Sequence, residues 1–158
     1  MATAKQPAND GILLIAENRR ARHNYSVGDT YEAGIVLTGT EVKSLREKRV
    51  NFSDAYAILK NMEVFLLGLK IERYAFGTHQ NHEPEQTRKL LLHKKEIEKL
   101  YRATREKGST LVPLKLYFKR GRAKVLIGVA KGKSDVDKRQ DLKRRDADRE
   151  VARVMRRG

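Results

Sequence analysis

The sequence predicts a mainly β fold with inserted helices: a closed or nearly closed antiparallel barrel of about six short strands, followed by a basic tail. Three observations carry this. Short apolar runs rich in β-branched residues recur between turn signals, and two pairs of them form hairpins around residues 60–63 and 120–122. Only two segments show helical spacing, without the regular alternation of a parallel sheet. Finally, residues 131–158 contain no aromatic residue, no isoleucine and no proline, while Lys and Arg recur through them. Such a segment buries too little apolar surface to offset the entropy of ordering.

In chain order, residues 1–10 (MATAKQPAND) read as a disordered start without the apolar core of a signal peptide. Residues 11–16 (GILLIA) read as a buried strand. Residues 17–25 are dense in cations: Arg19, Arg20 and Arg22 with His23 and Tyr25 suit phosphate pairing and base stacking, the plain alternative being an exposed turn with surface arginines. Residues 26–30 (SVGDT) are turn-like, and 31–37 (YEAGIVL) form a strand with Gly34 at a bulge or close approach. A short helix over 41–46 follows, with Thr40 as its expected N-cap.

Residues 51–59 and 64–71 form a hairpin, and 73–89 a long polar loop. A short strand at 88–93 leads into the clearest helix, 93–108, with Ile97, Leu100, Tyr101 and Thr104 on one face and Gly108 as its stop. Residues 112–119 and 124–130 form a second hairpin with a basic tip, in which Lys115, Tyr117, Lys119 and Lys124 alternate with apolar neighbours, so one face is wet and positive. The expected organisation is an N-terminal segment 1–10, a barrel over 11–130 and a tail over 131–158. Barrels of this size include the oligonucleotide-binding (OB) kind.

On a helix, the tail would carry Arg145, Arg149, Arg153 and Arg157 as one basic stripe opposite Ala147, Val151, Val154 and Met155. This is the pattern of a tail disordered when free that becomes helical on a polyanion; the bland alternative is a solvated basic tail.

A formal charge of +15 over 158 residues is an argument about partners. Nucleic acid is the commonest matching polyanion, an anionic membrane surface the other candidate; no apolar run is long enough to span a bilayer. The absence of cysteine excludes disulfides, thiol catalysis and Cys-based zinc sites, and a cytoplasmic protein is the simplest fit.

Little suggests catalysis. His79 and His82 stand three apart in a loop beside Asn81, Glu83 and Pro84, with no third ligand at a recognised spacing, so no metal or cofactor is expected. Lys131-Gly132-Lys133-Ser134 lacks the earlier glycine of a phosphate-wrapping loop. Glu17, Glu32, Glu41 and Asp54 lie in basic surroundings, where a carboxylate can act as a base or accept hydrogen bonds from a base edge or 2′-hydroxyl; without a paired His or metal, binding is the stronger reading.

The segments NRRARH (18–23), YEAG (31–34), TEVKSLR (40–46), RKLLL (88–92), IGVAKGK (127–133) and DKR (137–139) occur in the order seen in the small protein B (SmpB) family. These are the SsrA-binding proteins of bacterial trans-translation, and the chain resembles them over residues 11–158. The resemblance implies an OB-like barrel that binds the tRNA-like part of transfer-messenger RNA (tmRNA, or SsrA RNA) and supports its alanylation. Delivery to a stalled ribosome would follow, with alanyl-tRNA synthetase and elongation factor Tu engaged indirectly through tmRNA. The tail would then enter the empty mRNA channel of the small subunit, near the decoding centre, and become helical on the ribosomal RNA there.

By matching position, the resemblance implies RNA contacts at Asn18, Arg19, Arg20, Glu32 and Lys124, and at Leu91 or a neighbour; Arg22 falls in the same basic segment. In the tail it implies a junction at Gly132 and Lys133 and a ribosome-contacting motif at Asp137, Lys138 and Arg139. Relatives often carry His or Tyr before that motif, able to stack on a ribosomal base, whereas this chain has Val136; Ser134 likewise replaces a frequent lysine. A general RNA chaperone or structural ribosomal protein, and a small RNA-modifying enzyme, are the competing function classes.

Overall fold

The computed structural model describes residues 11–77 and 80–132. The expectations for residues 1–10, for His79 and for the tail from Lys133 onward, including Val136, Asp137, Lys138 and Arg139, lie outside the described residues. The elements in chain order are β1 (Ile12–Glu17), α1 (Arg19–Asn24), β2 (Tyr25–Ile35), α2 (Gly39–Arg46), β3 (Val50–Asn51), β4 (Tyr56–Lys60), β5 (Glu63–Leu67), β6 (Lys70–Ile71), β7 (Arg88–Leu91), α3 (Lys94–Thr104), β8 (Ser109–Lys119) and β9 (Arg122–Gly132).

Six strands close a ring: β8, β4, β5, β7, β2 and β9 pair in that order, and β9 returns to β8, every pairing antiparallel. This is the expected mainly β barrel with a few helices. β1 adds to the outer edge of β8, and β3 and β6 form a separate two-stranded ladder. Inward positions alternate along the strands, so Val64, Leu66, Leu90, Leu116, Val125 and Ile127 fill the interior. Both expected hairpins form on two-residue turns whose central residues have positive φ: Asn61 and Met62 (53° and 58°), and Arg120 and Gly121 (52° and 78°). Turns of that hand match the right-handed twist of the flanking strands. In α3, Leu100 is fully buried against the barrel, and Glu96 accepts the His93 N–H at 3.0 Å to close the helix start.

Several boundaries differ from expectation. Residues 11–16 are not a buried strand: Ile12, Leu13 and Leu14 of β1 are exposed and only Ile15 is buried. The cause is topological, since β1 pairs along one side only, with β8. The turn-like residues 26–30 are strand, because β2 pairs with β9 from Tyr25 onward and accommodates SVGDT by a register shift between Val27 and Thr30. Within 17–25, Arg19–Asn24 form α1, so the exposed turn that stood as the plain alternative for this segment is not what forms. The N-cap of α2 is Thr38, not Thr40; Thr38 Oγ1 accepts the Glu41 N–H, and Glu41 Oε1 accepts the Thr38 N–H at 2.9 Å, a capping box that only Glu41 at the third helical position completes. β9 carries the barrel to Gly132 rather than 130.

Candidate nucleic-acid interface

Gly34 on β2 lies opposite Leu91 on β7 and opposite Lys124 on β9. The missing side chain leaves a gap between them. A Cβ there would sit 3.4 Å from Leu91 Cβ and 3.8 Å from Lys124 Nζ. The result is a concavity of about 650 Å³ whose walls include Glu32, Leu91, His93, Arg122 and Lys124. Three residues implied by the resemblance, far apart in sequence, thus meet on one outer face. Alternation along β7 turns Leu91 outward, 53% exposed, and Leu90 inward, 2% exposed, while half-buried Leu92 also lines the concavity.

Glu32 is the electrostatic centre of this face. Its Oε2 accepts the Tyr117 hydroxyl at 2.5 Å, and Lys119 Nζ stands 3.4 Å from Oε1. The Tyr117 hydrogen bond, joined by the charges of Lys119 and Lys124, holds the Glu32 carboxyl below the usual carboxylate range against the opposing effect of burial. Burial, then the bond to Glu32, pushes the Tyr117 hydroxyl well above its ordinary value. Glu32 is therefore an oriented anion in a cationic setting, suited to accept from a base-edge N–H or a 2′-hydroxyl while Lys119, Lys124 and Arg122 meet phosphates. Alternation with apolar neighbours predicts Tyr117 on the wet face with Lys119; the structure instead buries Tyr117, 9% exposed, with its hydroxyl turned to Glu32 across β9, a partner that nothing local reveals.

The α1 residues occupy a different site. Asn18 is buried: its Oδ1 caps α1 by accepting the Ala21 N–H at 3.2 Å, its Nδ2 donates to the Pro113 carbonyl at 2.8 Å, and its N–H donates to the Leu114 carbonyl at 2.8 Å. Asn18 thus anchors α1 to β8. Exposed Arg19 and Arg20 line a second concavity, of about 450 Å³, shared with Asn51, Phe52 and Ser53, and Arg22 is exposed on the same helix. Gly132 is exposed at the end of β9, opposite Tyr25.

Of the other acidic residues, Glu17 and Asp54 are exposed and line neither Glu32 nor Lys124. Glu41 is fully buried and paired with Arg88 Nε at 2.5 Å, so it is a structural anion. Arg88 also donates to the carbonyls of Leu69 (2.7 Å), Gln86 and Pro84 (both 3.0 Å), tying the 72–87 loop to α2. His82 is buried, with Nε2 2.9 Å from the Ile71 carbonyl and Nδ1 2.9 Å from Thr40 Oγ1. Among the described residues no group of three or more His, Cys, Asp or Glu is arranged to hold a metal, and no helix is long and apolar enough to cross a membrane.

The family model described as SmpB protein matches residues 15–157. The chain belongs to the SmpB family. Similar family members include the SsrA-binding protein of Levilactobacillus brevis, 57% identical over 142 residues that cover 90% of each chain. That of Thermobifida fusca is 56% identical over 153 residues, covering 97% of this chain and 96% of the relative. A solved SmpB-family structure, described under "tmRNA-SmpB: a journey to the center of the bacterial ribosome", superposes with a TM-score of 0.66 at 51% identity. It covers 79% of this chain and 86% of the other.

Proposed function

We propose that this chain is a tmRNA-binding adaptor of trans-translation, acting in the cytoplasm and without catalytic activity of its own. The observation that carries the reading is the convergence of Glu32, Leu91 and Lys124 on one concave face. It occurs in a chain of the SmpB family, whose relatives are SsrA-binding proteins. The barrel binds the tRNA-like domain of tmRNA: phosphates pair with Lys119, Arg122 and Lys124, a base edge or 2′-hydroxyl donates to Glu32, and Leu91 packs on sugar or base. Arg19, Arg20 and Arg22 on α1 extend the footprint.

Residues 133–158 are the ribosome-facing part in this proposal. Leaving the barrel at Gly132, they enter the empty mRNA channel, where Asp137, Lys138 and Arg139 meet the decoding centre with Val136 packing apolarly beside them. The nascent peptide is then tagged and the ribosome released.

The test is a gel-shift titration against tmRNA and an unrelated RNA of similar length. Wild-type protein binds tmRNA preferentially, its affinity falls steeply with salt, and Glu32→Ala or Lys124→Ala weakens it by about tenfold or more, in line with loss of a good base-edge or phosphate contact. Equal affinity for both RNAs overturns the specific reading in favour of a general RNA chaperone. RNA conversion by the purified protein alone places it among enzymes instead.

A further inference from the structure

Phe76 is 80% exposed, the most open large apolar side chain among those described. A solvent-facing ring is ordinarily a mobile surface residue, yet the turn that carries it is closely held. Asn81 holds its first residue twice: its Nδ2 donates to the Tyr74 carbonyl at 2.8 Å, and its Oδ1 accepts the Tyr74 N–H at 3.2 Å. The Gly77 N–H closes the turn on the Tyr74 carbonyl at 2.9 Å, and a Cβ on Gly77 would lie 2.5 Å from Asn81 Nδ2, so glycine is the residue that fits. One residue further on, His82 links the Ile71 carbonyl to Thr40 on α2. A ring presented this way loses little freedom on binding.

What surrounds the ring narrows the ligand. Phe76 meets Tyr74 edge-to-face, with centroids 5.6 Å apart and planes at 69°, while Lys43 Nζ lies 5.5 Å from the Tyr74 ring centre. These groups, with the hydroxyl-bearing Thr38 and Thr40, line a concavity of about 340 Å³. One open π-face beside an ammonium and hydroxyls matches an unstacked nucleobase and its phosphate. A protein partner would ask for a larger apolar patch, and none of the other lining residues is a large exposed apolar side chain. The occupant's source follows from α2. Leu37 and Val42 line the Glu32–Lys124 concavity, while Thr38, Thr40 and Lys43 of the same segment line this one. One RNA seated in the first can continue over α2 to the second.

We propose that the Tyr74–Phe76 turn and Lys43 form a second RNA subsite, at which an unpaired base of tmRNA stacks on Phe76 with its phosphate on Lys43. This rests on the tmRNA reading of the first concavity. The test is gel-shift affinity for tmRNA across a salt series with Phe76→Ala, Phe76→Leu, Phe76→Tyr and Lys43→Gln, thermal midpoints confirming the fold. Expected are losses of roughly 5- to 100-fold for Ala and Leu, the range set by removing one stacked base, with Tyr within about twofold of wild type. The slope of log affinity against log salt is unchanged in the Phe76 series and falls by about one for Lys43→Gln.

Leu binding like wild type means the ring is not stacked and overturns the proposal. Unchanged tmRNA affinity with reduced co-sedimentation with ribosomes assigns the turn to ribosomal RNA or protein and likewise overturns it. If Glu32→Ala and Lys124→Ala weaken tmRNA binding while the Phe76 series does not, only this inference fails. If the reverse holds, the first concavity has been misread and the stacking site stands.

Discussion

Tyr117 on β8 donates its hydroxyl to Glu32 on β2 at 2.5 Å, reaching across the intervening strand β9. The contact needs Glu32 ionised and Tyr117 protonated. Because the Glu32 pKa is lowered from 4.5 in the fold, chiefly by this bond, its stabilising contribution is full above that ordinary value and is lost as pH falls through the lower folded one. Because the Tyr117 pKa is raised from 10.0, chiefly by burial, its contribution is full below pH 10 and is lost as pH rises beyond it. Tyr117→Phe should destabilise by about 1 kcal/mol at neutral pH, at the low end because Glu32 is about a third exposed. The difference in thermal midpoint from wild type should be flat from about pH 5 to pH 9 and shrink at both extremes. A difference that persists undiminished in strong acid would rule out this pairing as its cause.

The Glu41–Arg88 pair has a different energetic character, because both side chains are almost wholly buried. Arg88→Met strands the Glu41 carboxylate and should lower stability by roughly 3–5 kcal/mol in urea denaturation. The double variant Glu41→Met/Arg88→Met should lose less than Arg88→Met alone, since no charge is left unpaired. A double variant less stable than the single would mean that Glu41's other contact, the capping box with Thr38, outweighs the relief of the unpaired charge.

Two barrel glycines separate packing from binding. At Gly34 a side chain points into the concavity, toward Leu91 and Lys124. Gly34→Val should fold with a near-native midpoint and lose more than about tenfold in tmRNA affinity, because it fills the space an RNA group would occupy. At Gly128 a Cβ would stand 2.8 Å from Val27 and 3.0 Å from Leu114, inside the smaller apolar cluster. Gly128→Ala should cost about 1–3 kcal/mol by overpacking while binding, measured below the melting transition, stays close to wild type.

A chain ended after Gly132 keeps every described strand. It should fold, bind tmRNA within about threefold of full length, as the phosphate contacts assigned to the barrel remain, and fail to support peptide tagging on stalled ribosomes in a reconstituted translation system. Loss of tmRNA binding on truncation would move the tail into the primary RNA site.

Much of the fold was legible from local signals. Both hairpins and α3 follow from alternation, helical spacing and turn residues, each written within a window of a few residues. The charge identified the class of partner, and the order of short motifs identified the family. What only the tertiary structure decided depends on pairing across long separations. Whether GILLIA is interior or edge turns on how many neighbours β1 has, and SVGDT is strand because β9 supplies its hydrogen bonds. Glu41 and Glu32 look alike in sequence, two glutamates among cations. One meets Arg88 in the interior, the other, about a third exposed, meets the hydroxyl of buried Tyr117, because strand register brings those partners to them. Register likewise sets Leu91 and Lys124 on either side of Gly34. Composition and motif named the job; closure of the barrel, a non-local event, assembled the surface proposed to do it.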